Sequence, residues 1–248
     1  METRELVAKV QEKKEFKELP ESLIEKVLLL KEIVKLQDEE KIKQARALLR
    51  KYFTVFLSNK ITKGKLGSEE LLKRHISSKN RDYAGLYKRI IGNEKTIIDL
   101  GAGLNGLSIG GIGKKYVAVE ATRVLVEIMN NYFKQNKIPA EATWEDLFNL
   151  NKILEIVKNT EKPRAIWVFN IIDALEYLER DYSKKLLLEL KNQAEKIIIS
   201  WPTQSLQKQK KFKAKRFWIL NFLEENFNIL DEFEANGEKF IVLNTTKA

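Results

Sequence analysis

The stretch Thr96-Ile97-Ile98-Asp99-Leu100-Gly101-Ala102-Gly103-Leu104-Asn105-Gly106 puts an acid near the end of a short apolar run and then turns the backbone through closely spaced glycines. A strand that ends in such a turn delivers a nucleotide-like ligand to the mouth of a doubly wound sheet. Glycine at 101 and 103 permits positive φ and lets the backbone approach a ligand that a Cβ would hold off. The spacing Gly101-x-Gly103-x-x-Gly106 also fits a dinucleotide-binding fingerprint, and a strand-to-helix turn without a ligand has the same composition. Glu120 closes the next strand-like run, Tyr116-Val117-Ala118-Val119-Glu120, nineteen residues after Gly101, where a carboxylate can accept both hydroxyls of a ribose. Further on, Thr143-Trp144-Glu145-Asp146-Leu147 offers Asp146 as the acceptor for an exocyclic amine. Trp144 or Leu147 would pack on the ring, and Trp144 suits ordinary core packing equally well.

Other chemistries are closed by composition. The chain has no Cys, which removes disulfides, thiolate metal clusters and a cysteine nucleophile. His75 is the only histidine, so no His-rich zinc site and no Ser-His-Asp triad can be built elsewhere. No metal site is expected.

The elements that must hold these residues follow from periodicity. Strands are expected near 96–100, 115–119, 139–142, 164–169, 196–200, 227–233 and 239–244, and helices between them near 104–111, 122–136, 149–159, 181–194 and 211–225. Five βα steps imply a parallel doubly wound α/β sheet. Only Glu234-Ala235-Asn236-Gly237-Glu238 separates the last two strands, a hairpin that makes one strand antiparallel. Seven strands ending in a hairpin form the Rossmann-like sheet of S-adenosylmethionine methyltransferases, whereas a dinucleotide dehydrogenase ends on a sixth parallel strand. Ahead of the sheet lies a helical region. Residues 3–18 form a helix or a loose arm, a helix starts at Leu19-Pro20-Glu21 with Leu23, Val27, Leu30, Ile33 and Val34 on one face, and a third runs from Lys41 to Leu57. A basic loop with glycines, Thr62 to Gly67, precedes a helix capped by Ser68.

Charge is concentrated in this N-terminal part. Between Lys41 and Arg81 there are twelve bases and two acids, so the whole net charge of +10 resides there and the rest of the chain is formally neutral. Such a concentration points to a polyanion, nucleic acid above all, or to a solvated helix face. Arg46, Arg50, Lys51, Lys63, Lys65 and Arg74 are the candidate phosphate contacts. Lys208, Lys210, Lys211, Lys213 and Lys215 form a second basic run behind Ser200-Trp201-Pro202-Thr203. The Lys- and Glu-rich composition suits a heat-adapted protein. The N-terminus carries no apolar signal core and no run spans a bilayer, so a cytoplasmic protein without membrane contact is expected, and it is taken to be a monomer.

Three segments taken together carry a resemblance: His75-Ile76-Ser77-Ser78-Lys79-Asn80-Arg81, then Asp99-Leu100-Gly101-Ala102-Gly103-Leu104-Asn105, then Ser200-Trp201-Pro202-Thr203-Gln204-Ser205-Leu206. In order and spacing they resemble the 16S rRNA guanine-N7 methyltransferases of aminoglycoside resistance, where they read approximately His-x-Ser-Thr-x-Glu-Arg, Asp-Leu-Ala-Cys-Gly-Leu-Asn-Pro-Leu and Ser-Phe-Pro-Thr-Arg-Ser-Leu. The resemblance covers about residues 70–248 and implies S-adenosylmethionine as cofactor and structured RNA, rRNA or tRNA, as partner, with this chain a heat-adapted, archaeal-like homologue. It implies residues 1–74 as a basic helical RNA-binding domain and 75–248 as the methyltransferase domain, with 75–95 as linker or lid.

Carried over by position, Arg81 would reach the methionyl carboxylate, Gly101 and Gly103 would line the methionyl part with Asp99 and Asn105 beside them, Glu120 would hold the ribose, and Asp146 with Leu147 the adenine. His75 and Ser77 would order the lid, or His75 is simply structural. The chain departs from the pattern at Asn80, Gly106 and Gln204, and Asn170 stands where resistance enzymes have a Lys near the target base. Guanine N7 carries a free lone pair, so its methylation needs alignment rather than a general base. Asn170 and Trp201 are the candidates for the target base, Trp201 by stacking unless it is core. The sheet domain is expected to bind the cofactor without residues 1–70. The rival readings are an inactive RNA-binding or ribosome-assembly factor with the same fold and an NAD-dependent oxidoreductase.

Overall fold

The computed structural model describes residues 1–54, 67–74, 81–204 and 216–245, with the backbone alone at Arg74. Lys63, Lys65, the Arg74 side chain, His75, Ser77, Asn80, Lys208, Lys210, Lys211, Lys213 and Lys215 lie outside the described residues.

The sheet has strands β1 Thr96–Leu100, β2 Lys115–Glu120, β3 Ala140–Trp144, β4 Arg164–Phe169, β5 Lys196–Pro202, β6 Asn228–Ala235 and β7 Glu238–Asn244. They lie in the order β3-β2-β1-β4-β5-β7-β6. Six strands run in one direction, and β7 alone runs antiparallel, to both β5 and β6. The terminal hairpin inserts β7 between β5 and β6, and the sheet is that of the S-adenosylmethionine methyltransferases. Strand β1 is buried along its whole length, as a central parallel strand covered on both faces must be. Ile97 joins one core with Tyr116, Trp167 and Phe169, and Ile98 joins the opposite core with Val117, Ile166 and Val168. The pleat's alternation thus feeds two apolar layers.

The chain before the sheet forms α1 Thr3–Gln11, α2 Glu21–Leu28, α3 Lys31–Val34, α4 Asp38–Tyr52, α5 Ser68–Arg74 and α6 Tyr83–Ile90. The expected second helix is broken: Leu30 is extended and starts α3 afresh, leaving Val34 exposed. Helix α4 begins at Asp38, with Asp38, Glu39 and Glu40 in the first turn, where acids complement the helix dipole. The first four helices share a core of Leu6, Val10, Phe16, Leu23, Ile24, Val27, Ile33 and Leu49, and that core continues into the sheet part through Leu178 and Phe148. Leu71 of α5 instead joins the core on the α6 face of the sheet.

The sheet's other helices are α7 Arg123–Gln135, α8 Leu150–Lys158, α9 Ile172–Leu178, α10 Tyr182–Lys191 and α11 Phe217–Asn226. Two expectations fail. No α-helix follows β1: residues 105–108 form a single 3-10 turn, and Gly111 and Gly113 adopt positive φ of 85° and 68°. A run so rich in glycine lacks the propensity to continue a helix. Gly106 marks a close approach, since a Cβ there would lie 2.7 Å from Phe133 and 2.8 Å from Met129 of α7. The second miss is α9, a seven-residue helix too short to show a periodicity.

Candidate nucleotide-binding site

The turn after β1 folds back on β2, with the Gly101 and Ala102 amides donating to the Val119 carbonyl at 2.8 and 3.1 Å. Gly101 sits at φ 73°, and a Cβ there would meet Ile171 at 2.6 Å, so only glycine fits. Asp99 is fully buried under this turn. Its Oδ2 accepts from the Tyr116 hydroxyl at 2.7 Å and the Asn105 amide at 3.0 Å. Its Oδ1 has no partner among the described residues. Burial pushes this carboxyl up to about 6, against the pull of those two donors.

A cavity of about 250 Å³ opens at the carboxyl ends of β1, β2 and β4. Of the residues expected to bind ligand, Gly101, Gly103, Glu120, Asp146, Leu147 and Asn170 line it. Glu120 accepts from the Gly103 amide at 3.0 Å and the Thr122 amide at 2.9 Å, and burial raises its pKa. Each of these oxygens keeps a second lone pair for an incoming hydroxyl. Asp146 accepts from the Phe148 amide at 2.8 Å and from the Ser22 hydroxyl. Leu125, Leu147, Phe148 and Leu175 supply apolar walls. The arrangement suits a ligand with a flat apolar ring, an N–H on that ring and a diol.

Helices α2 and α4 complete the cavity with Leu23, Lys51, Tyr52 and Phe53, a contribution the sequence reading did not foresee. Ser22 reaches Asp146 from α2, Lys26 pairs with Glu179 at 2.5 Å, and Tyr52 packs on Tyr177 with ring centroids 4.9 Å apart. Glu18 caps α7, its backbone carbonyl accepting from the Arg123 amide at 2.8 Å and its carboxylate from the Val124 amide at 3.1 Å. Trp144 takes the core alternative: its Nε1 donates to the carbonyls of Ala121 and Glu18 at 2.8 and 3.2 Å, and the Arg123 guanidinium covers its ring. The sheet was expected to bind its ligand without residues 1–70, yet Leu23, Lys51, Tyr52 and Phe53 from that part form one wall of the cavity.

Arg81 does not line the cavity. Its guanidinium is buried behind Phe169, whose ring centroid is 5.3 Å away, and forks onto Glu238 through Nη2 at 2.7 Å and Nε at 3.0 Å. Nη1 donates to Asn105 Oδ1 at 2.7 Å, so Arg81, Asn105 and Asp99 form one buried polar chain beneath the glycine turn. The expected contact of Arg81 with a cofactor carboxylate is not prepared in this arrangement, because the guanidinium points at Glu238 and Asn105 and does not line the cavity. Glu238 itself was missed, since nothing in the local pattern of a hairpin turn marks an acid as an internal counter-ion. Trp201 is 4% exposed and packs in the core of the sheet with Ile219 and Leu223, so the stacking role is corrected to core packing.

The basic cluster also divides. Arg46 donates to the carbonyls of Lys9 and Val10 and lies 3.7 Å from Glu12, which ties α4 to α1. Arg50 pairs with Glu15 at 2.7 Å and covers Phe16. Arg46, 20% exposed, is thereby an internal tie, a correction to its expected role as a phosphate contact, whereas Arg50 stays 53% exposed within its surface pair. Lys51 remains exposed at the cavity, its ammonium over Tyr52 and Tyr177.

No protein-family model and no curated protein matches the sequence. Solved structures do match it over its length. The 16S rRNA methylase RmtB has a TM-score of 0.80 at 16% identity, covering 98% of this chain and 98% of that one. The 16S rRNA methyltransferase RmtF, solved in complex with S-adenosyl-L-homocysteine, has 0.81 at 16% identity over 99% of this chain and 100% of that one. An rRNA methylase from Escherichia coli has 0.79 at 16% identity over 98% and 99%. From the N-terminal helices to the final hairpin, the chain has the fold of the 16S rRNA methylases.

Proposed function

We propose that the protein is an S-adenosylmethionine-dependent RNA methyltransferase that methylates guanine N7 in structured RNA, small-subunit rRNA first and tRNA as the second candidate, in the cytoplasm. The observation that carries this reading is the cavity at the strand ends, where the glycine turn, Glu120, Asp146 with Leu147, and Asn170 meet. The set of acceptors fits the cofactor. Glu120 has lone pairs left for two ribose hydroxyls, Asp146 for the adenine amine, and Asn170 Oδ1 is a buried acceptor without a partner among the described residues. The similarity to RmtF, crystallised with S-adenosyl-L-homocysteine, supports the same choice.

When bound, the cofactor supplies an electrophilic methyl on a sulfonium. The chain's part is to align that methyl with a ring nitrogen whose lone pair is already free, so proximity and orientation carry the rate and no general base is called for. The target base must be unpaired or flipped to enter. Lys51 at the mouth offers a phosphate contact, which positions RNA without reading its sequence.

The test is incubation of the protein with methyl-labelled cofactor and separated rRNA and tRNA pools, followed by nucleoside mass spectrometry. Label in 7-methylguanosine supports the reading, and label in another nucleoside or in none removes the N7 assignment.

A further inference from the structure

Glu238 opens β7 opposite Pro202 and is 6% exposed. Besides the two-pronged bond from Arg81, its carboxylate accepts from Ser200 Oγ at 3.0 Å and from Asn170 Nδ2. A carboxylate only accepts, so the Asn170 amide cannot be reversed: its NH2 faces Glu238 and its oxygen is turned elsewhere. That oxygen is buried without a partner among the described residues, on a side chain whose residue lines the cavity. The backbone is fixed as well, at φ 59° with the Asn170 amide donating to the Ser200 carbonyl at 3.1 Å. A non-glycine residue in the left-handed region that also carries an orphaned acceptor is the kind of strain that gathers at binding sites.

We propose that Glu238 is a positioning residue of this site, fixing the Asn170 amide so that its oxygen accepts from an N–H of the bound ligand. This rests on the methyltransferase reading. The N–H has two sources, the amino group of the cofactor's amino-acid part or an N–H edge of the target base, and the two separate in the test below.

The experiment compares the wild type with Glu238→Gln, Asn170→Gly and the double variant Glu238→Gln/Asn170→Asp. It measures S-adenosylhomocysteine affinity by calorimetry and methyl transfer to RNA as separate kcat and KM. In Glu238→Gln the amide oxygen is held by the Arg81 fork, so its NH2 faces the Asn170 NH2, and Asn170 turns over and offers NH2 to the ligand. The expected loss is about tenfold or more, the scale of one unmade buried hydrogen bond. Asn170→Gly deletes the amide where the backbone suits glycine, leaves the Arg81–Glu238 pair whole, and loses the same step. The double variant restores an acceptor toward the ligand and regains most of what Glu238→Gln lost.

Loss of S-adenosylhomocysteine affinity identifies the cofactor amine as donor. Unchanged affinity with impaired kcat or KM for RNA identifies the base. Wild-type behaviour of Asn170→Gly on both measures overturns the proposal, and so does a folded double variant no better than Glu238→Gln. Should Glu238→Gln not fold, Asn170→Gly decides. A wild type that binds S-adenosylhomocysteine but methylates no RNA removes the RNA reading, and the affinity of Asn170→Gly then judges Glu238 alone. A wild type that does not bind it removes both.

Discussion

Asp99 is the acid whose burial has the clearest thermodynamic signature. Its carboxyl is pushed up to about 6 in the fold, well above the ordinary aspartate range, because burial penalises the charged form. Between pH 4 and 6 the folded chain holds a proton that the unfolded chain has released, so stability falls across that window as pH rises, by about 3 kcal/mol in all. Asp99→Asn should flatten that part of the stability profile, and denaturant titrations at pH 4, 5, 6 and 7 check it; a slope equal to the wild type's refutes it. Arg81→Ala leaves Glu238 charged and buried, which should cost about 3–5 kcal/mol in urea unfolding. An unchanged midpoint would mean that the pair is immaterial to the fold. Of the residues around the cavity, those on the glycine turn and at the strand ends were legible because strand, turn and acid are adjacent in sequence. Ser22 with Asp146, 124 residues apart, and Arg81 with Glu238, 157 apart, were not, since spacing reports only which residues share a local face.

At the scale of elements, α2 and α4 are walls of the cavity as well as carriers of charge. Ser22→Ala removes one donor to Asp146 and should weaken S-adenosylhomocysteine binding by roughly 0.5–1.5 kcal/mol in a calorimetric titration. Deleting residues 1–54 takes away Leu23, Lys51, Tyr52 and Phe53 and uncovers Leu178 and Phe148, so that binding should vanish altogether. Full affinity in the deleted chain would return α2 and α4 to a purely RNA-facing role. The central strands were readable because apolar runs such as Ile97-Ile98 and Ile197-Ile198-Ile199 bounded by turns leave few alternatives, and the hairpin at Asn236-Gly237 fixed the direction of β7. The absent helix after β1 was misread because a strand and glycine turn in a βα alternation are ordinarily followed by a helix. Leu104, Leu107 and Ile109 are buried, but from a turn that four nearby glycines keep from extending.

For the whole molecule, the +10 charge is an average over residues with different duties. Arg46 is spent inside the helical layer and Arg50 sits in a surface ion pair with Glu15, whereas Lys51 faces outward at the cavity. Lys51→Ala should therefore reduce the log–log salt slope of RNA binding by about 0.7–0.9, and Arg46→Ala should lower the melting temperature with the slope unchanged. The opposite pattern would place the RNA on the far side of α4.

The central claim is methyl transfer to guanine N7 through the cavity that Glu120 and Asp146 line. It is tested most directly by a single reaction, the wild-type protein with methyl-labelled S-adenosylmethionine and 16S rRNA or small subunits, digested to nucleosides and read by mass spectrometry. The account predicts label in 7-methylguanosine with the wild type and its near loss with Glu120→Ala. Transfer to no RNA, or undiminished transfer by Glu120→Ala, would contradict it.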